Sequence, residues 1–158
     1  MNLVGIGYDV HRLVRDRKLI LGGVEIAHTL GLDGHSDADV LCHAIADALL
    51  GTIGEKDIGF HFPNSDETIR GISSIEILKK VRAILARGRA SIANVDATLI
   101  AEAPKIGPHV DAMRANIADA LQVPVKRIGI KATTNELLGF IGRGEGIASM
   151  AVASVEVK

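Results

Sequence analysis

The sequence predicts an α+β fold, a sandwich in which a mostly four-stranded mixed sheet carries helices on one face and a small hairpin. Segments with strand character alternate with segments whose apolar residues recur at helical spacing. The Gly22-Gly23 pair between two short apolar segments indicates an antiparallel hairpin. A chain of 158 residues is long enough for one core and too short for two ordinary domains, so we expect a single domain over residues 1–158.

Strands are predicted from apolar runs, alternation and flanking turn residues at 3–11, 18–21, 24–26, 92–101, 126–132 and 147–157. The alternation is clearest around Val95, Ala97 and Leu99 and implies one buried face. The predicted helices cover only one side of this sheet. We therefore expect a second copy of the chain to cover the other face.

Helices are predicted from apolar residues spaced three and four apart at 37–50, 74–87 and 108–121. The second has a capping box, Ser73 with Glu76, and Gly88 follows its end. Pro108 suits the first turn of the third helix, and Ser36 is a candidate cap for the first.

Composition excludes several classes of partner. The formal charge is −1 and aromatic residues make up 3% of the chain, which argues against a nucleic-acid groove. No apolar stretch is long enough to span a bilayer, and the single cysteine, Cys42, is expected to be a buried apolar residue. We expect no nucleic-acid or membrane partner and a cytoplasmic location, bacterial because no transit segment is recognisable.

Asp9 and His11 are two residues apart on the first predicted strand, so their side chains leave the same face. His43 lies on the first predicted helix, and one aspartate with two histidines suits zinc and leaves a coordination position open. Asp39 and Asp47 flank His43 one helical turn away, and either can hold its far ring nitrogen. The alternatives are exposed polar strand-end residues, a hydrogen-bonded helix histidine and a solvated helix face.

The turn at 32–39 combines a glycine, acidic residues and a helix start. Helix N-termini favour anions such as phosphate, although the acids oppose this without a cation. A simple helix-capping turn is the alternative.

Six blocks, in this order, resemble the 2-C-methyl-D-erythritol 2,4-cyclodiphosphate synthase family over nearly the whole chain. Each block is weak alone, whereas the ordered set is specific. The blocks are Gly7-Tyr8-Asp9-Val10-His11; Gly34-His35-Ser36-Asp37-Ala38-Asp39-Val40 with His43; Asp57-Ile58-Gly59 with Phe62-Pro63; Ala103-Pro104-Lys105; Lys131-Ala132-Thr133-Thr134; and Gly142-Arg143-Gly144-Glu145-Gly146.

The resemblance implies a homotrimer of α+β subunits, relatives of the ferredoxin-like fold, with active sites between neighbouring subunits. It implies a cyclising phosphorus-oxygen lyase of non-mevalonate isoprenoid synthesis. In 4-diphosphocytidyl-2-C-methyl-D-erythritol 2-phosphate, the 2-phosphate attacks the β-phosphorus and expels CMP. A phosphate nucleophile is already ionised near neutral pH, so this chemistry needs cations and positioning rather than a serine or cysteine.

The family motif also implies roles for individual residues. Zn²⁺, or another divalent transition metal, is bound by Asp9, His11 and His43, and Glu136 contacts Mg²⁺ or Mn²⁺ held by the diphosphate. We hypothesise that zinc polarises the β-phosphate, that magnesium stabilises the leaving CMP, and that His35 and Thr134 act as catalytic hydrogen-bond donors.

Further substrate contacts follow the motif. Asp57 and Gly59 match contacts to methylerythritol hydroxyls, residues 101–107 match a cytosine pocket, and Phe140 and Arg143 match a central trimer cavity for an isoprenoid phosphate. Asn64 stands where an acid is expected, and Leu137 and Ile141 replace more polar residues. The full substrate-binding set is Asp9, Val10, His11, His35, Ser36, Asp57, Ile58, Gly59, Phe62, Pro63, Asn64, Ser65, Asp66, Ala101, Glu102, Ala103, Pro104, Lys105, Ile106, Gly107, Thr133, Thr134, Asn135, Glu136, Phe140 and Arg143.

Two other functions fit the same residues. An open zinc site beside phosphates can activate water, as in a metal-dependent phosphoesterase. A trimeric metal-binding or nucleotide-binding regulator would bind CDP or CMP without turnover. Glu136 favours catalysis, because a storage site needs no second ion.

Overall fold

A computed structural model describes residues 1–157 of the chain. Its strands are β1 (Asn2–Val14), β2 (Leu19–Leu21), β3 (Val24–Ile26), β4 (Gly31–Leu32), β5 (Ala90–Ile100), β6 (Ile128–Thr133) and β7 (Gly146–Val157). Five of them form one sheet in the order β4-β1-β7-β5-β6, and β2 pairs with β3 in a separate hairpin. The mixed character of the sheet is confirmed, since β5 and β6 are parallel and the other neighbours are antiparallel.

The sheet has five strands rather than the expected four. The additional strand, β4, has only two residues, and it pairs Leu32 with Leu13 and Gly31 with Val14. A two-residue strand cannot show the alternation on which the prediction relied. The predicted hairpin around Gly22-Gly23 is confirmed, and both glycines have positive φ angles.

The helices are α1 (Val40–Thr52), α2 (Ile58–His61), α3 (Ser74–Arg87), α4 (Val110–Leu121) and α5 (Gly139–Gly142). The bounds predicted for α3 are confirmed, and Ser73 caps it, although the Glu76 carboxylate accepts a hydrogen bond from Lys79. α4 begins after a short 3-10 turn that contains Pro108.

α1 begins later than predicted because Asp39 is its N-cap. The Asp39 carboxylate accepts a hydrogen bond from the Cys42 amide, so the expected cap at Ser36 is wrong. The Ser36 hydroxyl instead accepts from the Ala38 amide, one step earlier in the turn.

Two glycines allow α1 to lie unusually close to β1. A Cβ atom on Gly5 would lie 2.1 Å from the carbonyl oxygen of Ala48, and one on Gly7 would lie 1.9 Å from that of Ala44. Only a residue without a side chain fits at such a separation. The strand and helix backbones are therefore in direct contact just before β1 reaches Asp9.

α1 is buried on nearly all sides, between β1 and β7 on one side and α3 on another. His43 is 6% exposed and Asp39 is fully buried, so the interpretation of their stripe as a solvated face is wrong. Cys42 is buried, as predicted, and burial raises the pKa of its thiol.

The other face of the sheet is open. Val4 and Ile6 are each 67% exposed, and Tyr8, Met150 and Val152 extend the same apolar surface across β1 and β7. The prediction that helices cover one face only is confirmed. Within residues 1–157, no helix combines the length and the apolarity that a membrane crossing requires.

Candidate metal centre and substrate cleft

Three side chains converge where β1 passes the first turns of α1. The Asp9 Oδ2 atom lies 2.9 Å from His11 Nε2 and 3.0 Å from His43 Nδ1, and the two histidine nitrogens are 3.2 Å apart. Asp9 and His11 share the face of β1 on which Gly5 and Gly7 contact the helix. The close approach at those glycines is what brings His43 within reach of the strand.

The ring of His11 is oriented by the chain that follows β4. Its Nδ1 atom lies 2.6 Å from the carbonyl oxygen of Asp33, which can only accept a hydrogen bond. Nδ1 therefore carries a proton, and Nε2 is the nitrogen that faces the cluster; it can donate to Asp9, and it would lose that proton to bind a metal ion.

The far nitrogen of His43 is held by hydroxyl groups rather than by a carboxylate. Nε2 lies 2.9 Å from the Ser74 hydroxyl and 3.1 Å from the Ser36 hydroxyl, and Ser74 in turn donates to the Asp37 carboxylate. Donation from Nε2–H to Ser74 leaves Nδ1 as the nitrogen that faces the cluster, where it would bind a metal ion after losing any proton that it donates to Asp9. Asp37, rather than Asp39 or Asp47, is therefore the carboxylate linked to His43, through the Ser74 hydroxyl.

The two carboxylates expected to hold His43 have other partners. Asp39 accepts from the Gly22 and Gly23 amides at 3.0 and 2.8 Å and fixes the hairpin turn against α1. Burial raises its pKa. Asp47 accepts from the Ile58 amide at 2.8 Å and anchors α2, and burial raises its pKa as well. The expectation that either one orients His43 is wrong.

The electrostatics of the cluster favour a cation. Burial raises the pKa of Asp9, but hydrogen bonds from His11 and His43 outweigh this effect and lower it to about 2. Burial lowers the pKa of His11, whereas the hydrogen bond and charge of Asp9 outweigh burial and raise it. Asp9 is therefore ionised, and each histidine has one nitrogen directed at its carboxylate.

These donors fit a divalent transition metal. One carboxylate oxygen and two imidazole nitrogens converge from rigid elements, and all three residues can contribute a ligand atom to one ion. The set supplies fewer than the four ligands of a closed structural zinc site, so a bound ion would retain a position for another ligand. The hydrogen bonds to Asp33 and Ser74 already fix both rings in the orientation that ligation needs.

The cluster lies in a cleft of about 210 Å³. Predicted site residues that line the cleft are Asp9, His11, His35, Ser36, His43, Ile58, Gly59, Phe62 and Asn64. Sequence reasoning missed Gly34, Ile69, Ile72 and Ile77 as lining residues, and also missed the role of Ser74. Ile77 belongs to the apolar face of α3, and nothing in its pattern distinguishes a residue that lines a cleft.

Two predicted acids near the cleft act locally as caps. Asp57 caps α2 by accepting from the Phe60 amide. Asp66 accepts from the amide and hydroxyl of Thr68, which lowers its pKa, and its carbonyl lies 3.2 Å from His35 Nε2. Pro63 and Ser65 connect these two caps, and the four residues lie beside the cleft-lining residues Phe62 and Asn64.

The remaining predicted contacts are at the ends of β5 and β6. Asp9 pairs with Ser149 on β7, and Ser149 pairs with Leu99 on β5, which places β5 about 10 Å from β1 across the sheet. In the described part of the chain, the cleft lining includes none of residues 101–107 and none of 133–136. Glu136 is exposed, and its Oε1 accepts from the Thr134 hydroxyl at 3.0 Å.

Val10 and Phe140 line a separate depression of about 240 Å³ with the start of β7. Val10 alternates with Asp9 and His11 and so faces the open side of the sheet. Arg143 lies close by in sequence and donates to Glu145 at 2.6 Å, and this hydrogen bond raises the pKa of the guanidinium.

The fold and this cluster define an α+β protein with a three-donor site for a divalent metal ion in a small cleft. The chain belongs to the YgbB family, whose model matches residues 2–156. The resemblance seen in the sequence is thereby confirmed.

Relatives match over almost the whole chain. A protein from Lachnospira eligens named 2-C-methyl-D-erythritol 2,4-cyclodiphosphate synthase is 59% identical over 152 residues, covering 96% of this chain and 83% of the relative. One of the same name from Alkaliphilus metalliredigens is 58% identical and covers 96% of each chain.

Solved structures show the same fold. The bifunctional IspDF of Campylobacter jejuni matches with a TM-score of 0.96 and 39% identity over 100% of this chain, which spans 43% of that larger protein. IspF of Plasmodium falciparum, in a CDP complex, matches with a TM-score of 0.86 and 32% identity, covering 99% of this chain and 97% of the other.

Proposed function

We propose that the protein is a 2-C-methyl-D-erythritol 2,4-cyclodiphosphate synthase. It converts 4-diphosphocytidyl-2-C-methyl-D-erythritol 2-phosphate to the cyclic diphosphate and CMP. The observation that carries this proposal is the convergence of Asp9, His11 and His43 in one cleft of a YgbB-family chain. A cytoplasmic location stays a prediction from the sequence.

The chain's own residues hold and orient the reacting phosphates. Asp9, His11 and His43 would hold zinc, and Glu136 would hold Mg²⁺ or Mn²⁺ together with the diphosphate. When bound, these cations would offset the repulsion between the attacking 2-phosphate and the β-phosphate, and they would stabilise the charge that develops on CMP. His35 and Thr134 donate hydrogen bonds to the phosphate oxygens.

The rest of the substrate is bound by groups on either side of the phosphates. Asp57 and Gly59 contact the methylerythritol hydroxyls, beside the cleft walls formed by Ile58 and Phe62. Residues 101–107 bind the cytosine, and residues 133–136 bind the diphosphate. Holding nucleophile and leaving group in line can supply about 7–11 kcal/mol of the barrier reduction in favourable cases.

We propose further that the active site forms between subunits of a homotrimer. The metal cluster is at β1 and the 133–136 segment is at the end of β6, with β7 and β5 between these strands. The open apolar face of β1 and β7 offers a surface for another copy to bury. One subunit would supply the metal cluster and its neighbour the cytosine and diphosphate contacts. Phe140 and Arg143 would line the central cavity, where an isoprenoid phosphate can bind.

The product formed from the cytidylyl substrate tests the reaction. With zinc and Mg²⁺ supplied, phosphorus NMR should detect the cyclic diphosphate together with one equivalent of CMP. Release of inorganic phosphate would instead indicate a phosphoesterase. Binding of CDP without turnover would indicate a nucleotide-binding regulator.

A further inference from the structure

Glu102 connects the segment that we assign to cytosine with the segment that we assign to the diphosphate. Its Oε1 atom accepts a hydrogen bond from the Asn135 amide at 2.7 Å and a second from the Leu137 amide at 3.3 Å. Glu102 is half-buried. The residue before it, Ala101, donates its amide to the Thr133 carbonyl and so extends the pairing of β5 with β6.

The turn that Glu102 holds has an uncommon backbone. Glu136 and Leu137 have φ angles of 52° and 61°, so two consecutive residues with side chains adopt the left-handed conformation. Two successive residues keep this unfavourable backbone conformation only when neighbouring contacts hold them in it. The amide groups of such a turn form a concavity that can bind an anion. In this protein the anion that fills the concavity is the Glu102 carboxylate.

The same turn directs Glu136. Its Oε1 accepts from the Thr134 hydroxyl, and its own amide donates to that hydroxyl at 3.3 Å. Gly142 packs beneath the turn, because a Cβ atom there would lie 2.1 Å from the carbonyl carbon of Leu137. The backbone is thus held from both sides, by Gly142 and by Glu102.

We propose that Glu102 is a positioning residue for the diphosphate, an inference that rests on the proposed function. Its carboxylate occupies the Asn135 and Leu137 amides, so an incoming diphosphate would contact the Thr134 hydroxyl and the divalent cation that Glu136 would hold. Because Glu102 belongs to the segment assigned to the base, its two hydrogen bonds fix the position of that segment relative to the turn that carries Glu136.

The test compares Glu102→Ala and Glu102→Gln with the unmodified protein. Glu76→Ala is the control, because Glu76 contacts only Lys79 on the exposed side of α3 among the hydrogen bonds of the described residues. The readouts are hydrogen exchange of the peptide covering residues 134–138, CDP affinity with Mg²⁺ present, and zinc content.

Glu102→Ala should accelerate exchange in residues 134–138 and weaken CDP binding on the order of tenfold, as expected for loss of hydrogen bonds to a charged group. Zinc content should not change. Glu102→Gln, which retains an acceptor oxygen, should recover most of the affinity, and Glu76→Ala should match the unmodified protein.

Unchanged exchange in Glu102→Ala would overturn the proposal, as would faster exchange with unchanged CDP affinity. Tighter CDP binding would overturn it too, because Glu102 would then merely occupy the amides until a phosphate replaces it. If the alanine variant fails to fold, Glu102→Asp, whose side chain is one methylene shorter, replaces it: faster exchange together with weaker CDP binding supports the proposal, and the absence of either overturns it. None of these readouts needs turnover, so failure of the synthase assignment would be seen separately in the product assay.

Discussion

The metal cluster and the turn at residues 134–137 are both assigned to one active site, yet they differ in how the chain builds them. The cluster lies between β1 and α1, has a nearly buried histidine, and is complete within one chain. The turn lies at the exposed ends of β5 and β6, where the half-buried Glu102 carboxylate on one side and Gly142 on the other hold its backbone. The first region is formed by core packing, and the second is left open at the surface.

This difference indicates which part of the site should tolerate change. Displacing α1 or either histidine ring should destroy metal binding in each chain separately. Changes in the turn should leave the metal cluster intact and alter how the nucleotide and its cation bind, and through that binding the turnover.

His43→Ala should abolish zinc binding and lower turnover by roughly 10³-fold or more, because several kcal/mol of charge stabilisation are lost. The trimer should still assemble. Metal analysis after dialysis, sedimentation and the product assay check these expectations. Unchanged zinc content would show that His43 is not a ligand. Glu136→Gln is the matched variant in the turn at residues 134–137, and its zinc content should equal that of the unmodified protein.

Gly7→Ala should separate α1 from β1, because the new Cβ would lie 1.9 Å from the Ala44 carbonyl oxygen. We expect the free energy of unfolding to fall by about 1–3 kcal/mol and zinc binding to weaken. Gly51→Ala is the control, since the nearest atom to its Cβ is 3.8 Å away. Denaturant titration and zinc affinity measure both effects, and equal behaviour of the two variants would contradict the close-contact explanation.

Ser74→Ala removes the hydroxyl between His43 Nε2 and Asp37. Loss of such a partner should weaken zinc affinity by about 10–100-fold. Ser73→Ala, one residue earlier, removes the cap of α3 and should lower stability by about 0.5–2 kcal/mol without changing zinc affinity. Competition titrations with a chelator distinguish the two, and a similar zinc affinity in both would reject the orienting role of Ser74.

Zinc affinity should rise with pH through the titration of His11. The pKa of His11 in the folded protein is raised above 6.5. Protons therefore still compete with zinc for His11 at pH values somewhat above 6.5, and zinc affinity becomes constant only above the raised pKa. Asp9, with a pKa of about 2, contributes no competition near neutrality. The slope should be about tenfold per pH unit for each histidine that must lose a proton. Affinity independent of pH between 5.5 and 8 would contradict this ligand set.

Periodicity and end signals were sufficient to predict the four long strands, the hairpin and the three long helices, because each pattern repeats over many residues. They could not predict β4, because a strand of two residues is too short to show a repeating pattern. Asp9, His11 and His43 could be found because strand alternation and ligand chemistry point to the same residues. Ser74 and Asp37 could not, since their pairing joins α3 to a turn 37 residues away in sequence and no local pattern encodes such a contact.

The roles of Asp39 and Asp47 were predicted wrongly for a related physical reason. Helical spacing correctly placed both one turn from His43, but it cannot show which backbone amides each carboxylate meets. Asp39 accepts from amides of the hairpin turn and Asp47 accepts from the first amide of α2, and both contacts come from segments outside α1.

A subunit-mixing experiment tests most directly whether the two regions complete one site from different chains. His43→Ala and Glu136→Gln chains carrying different tags are co-expressed, and assemblies containing both are purified through both tags. Each variant alone should have almost no synthase activity, whereas mixed trimers should recover activity at about one site in three by symmetry. Mixed assemblies as inactive as either parent would show that both regions must act within a single chain, and would contradict the shared site.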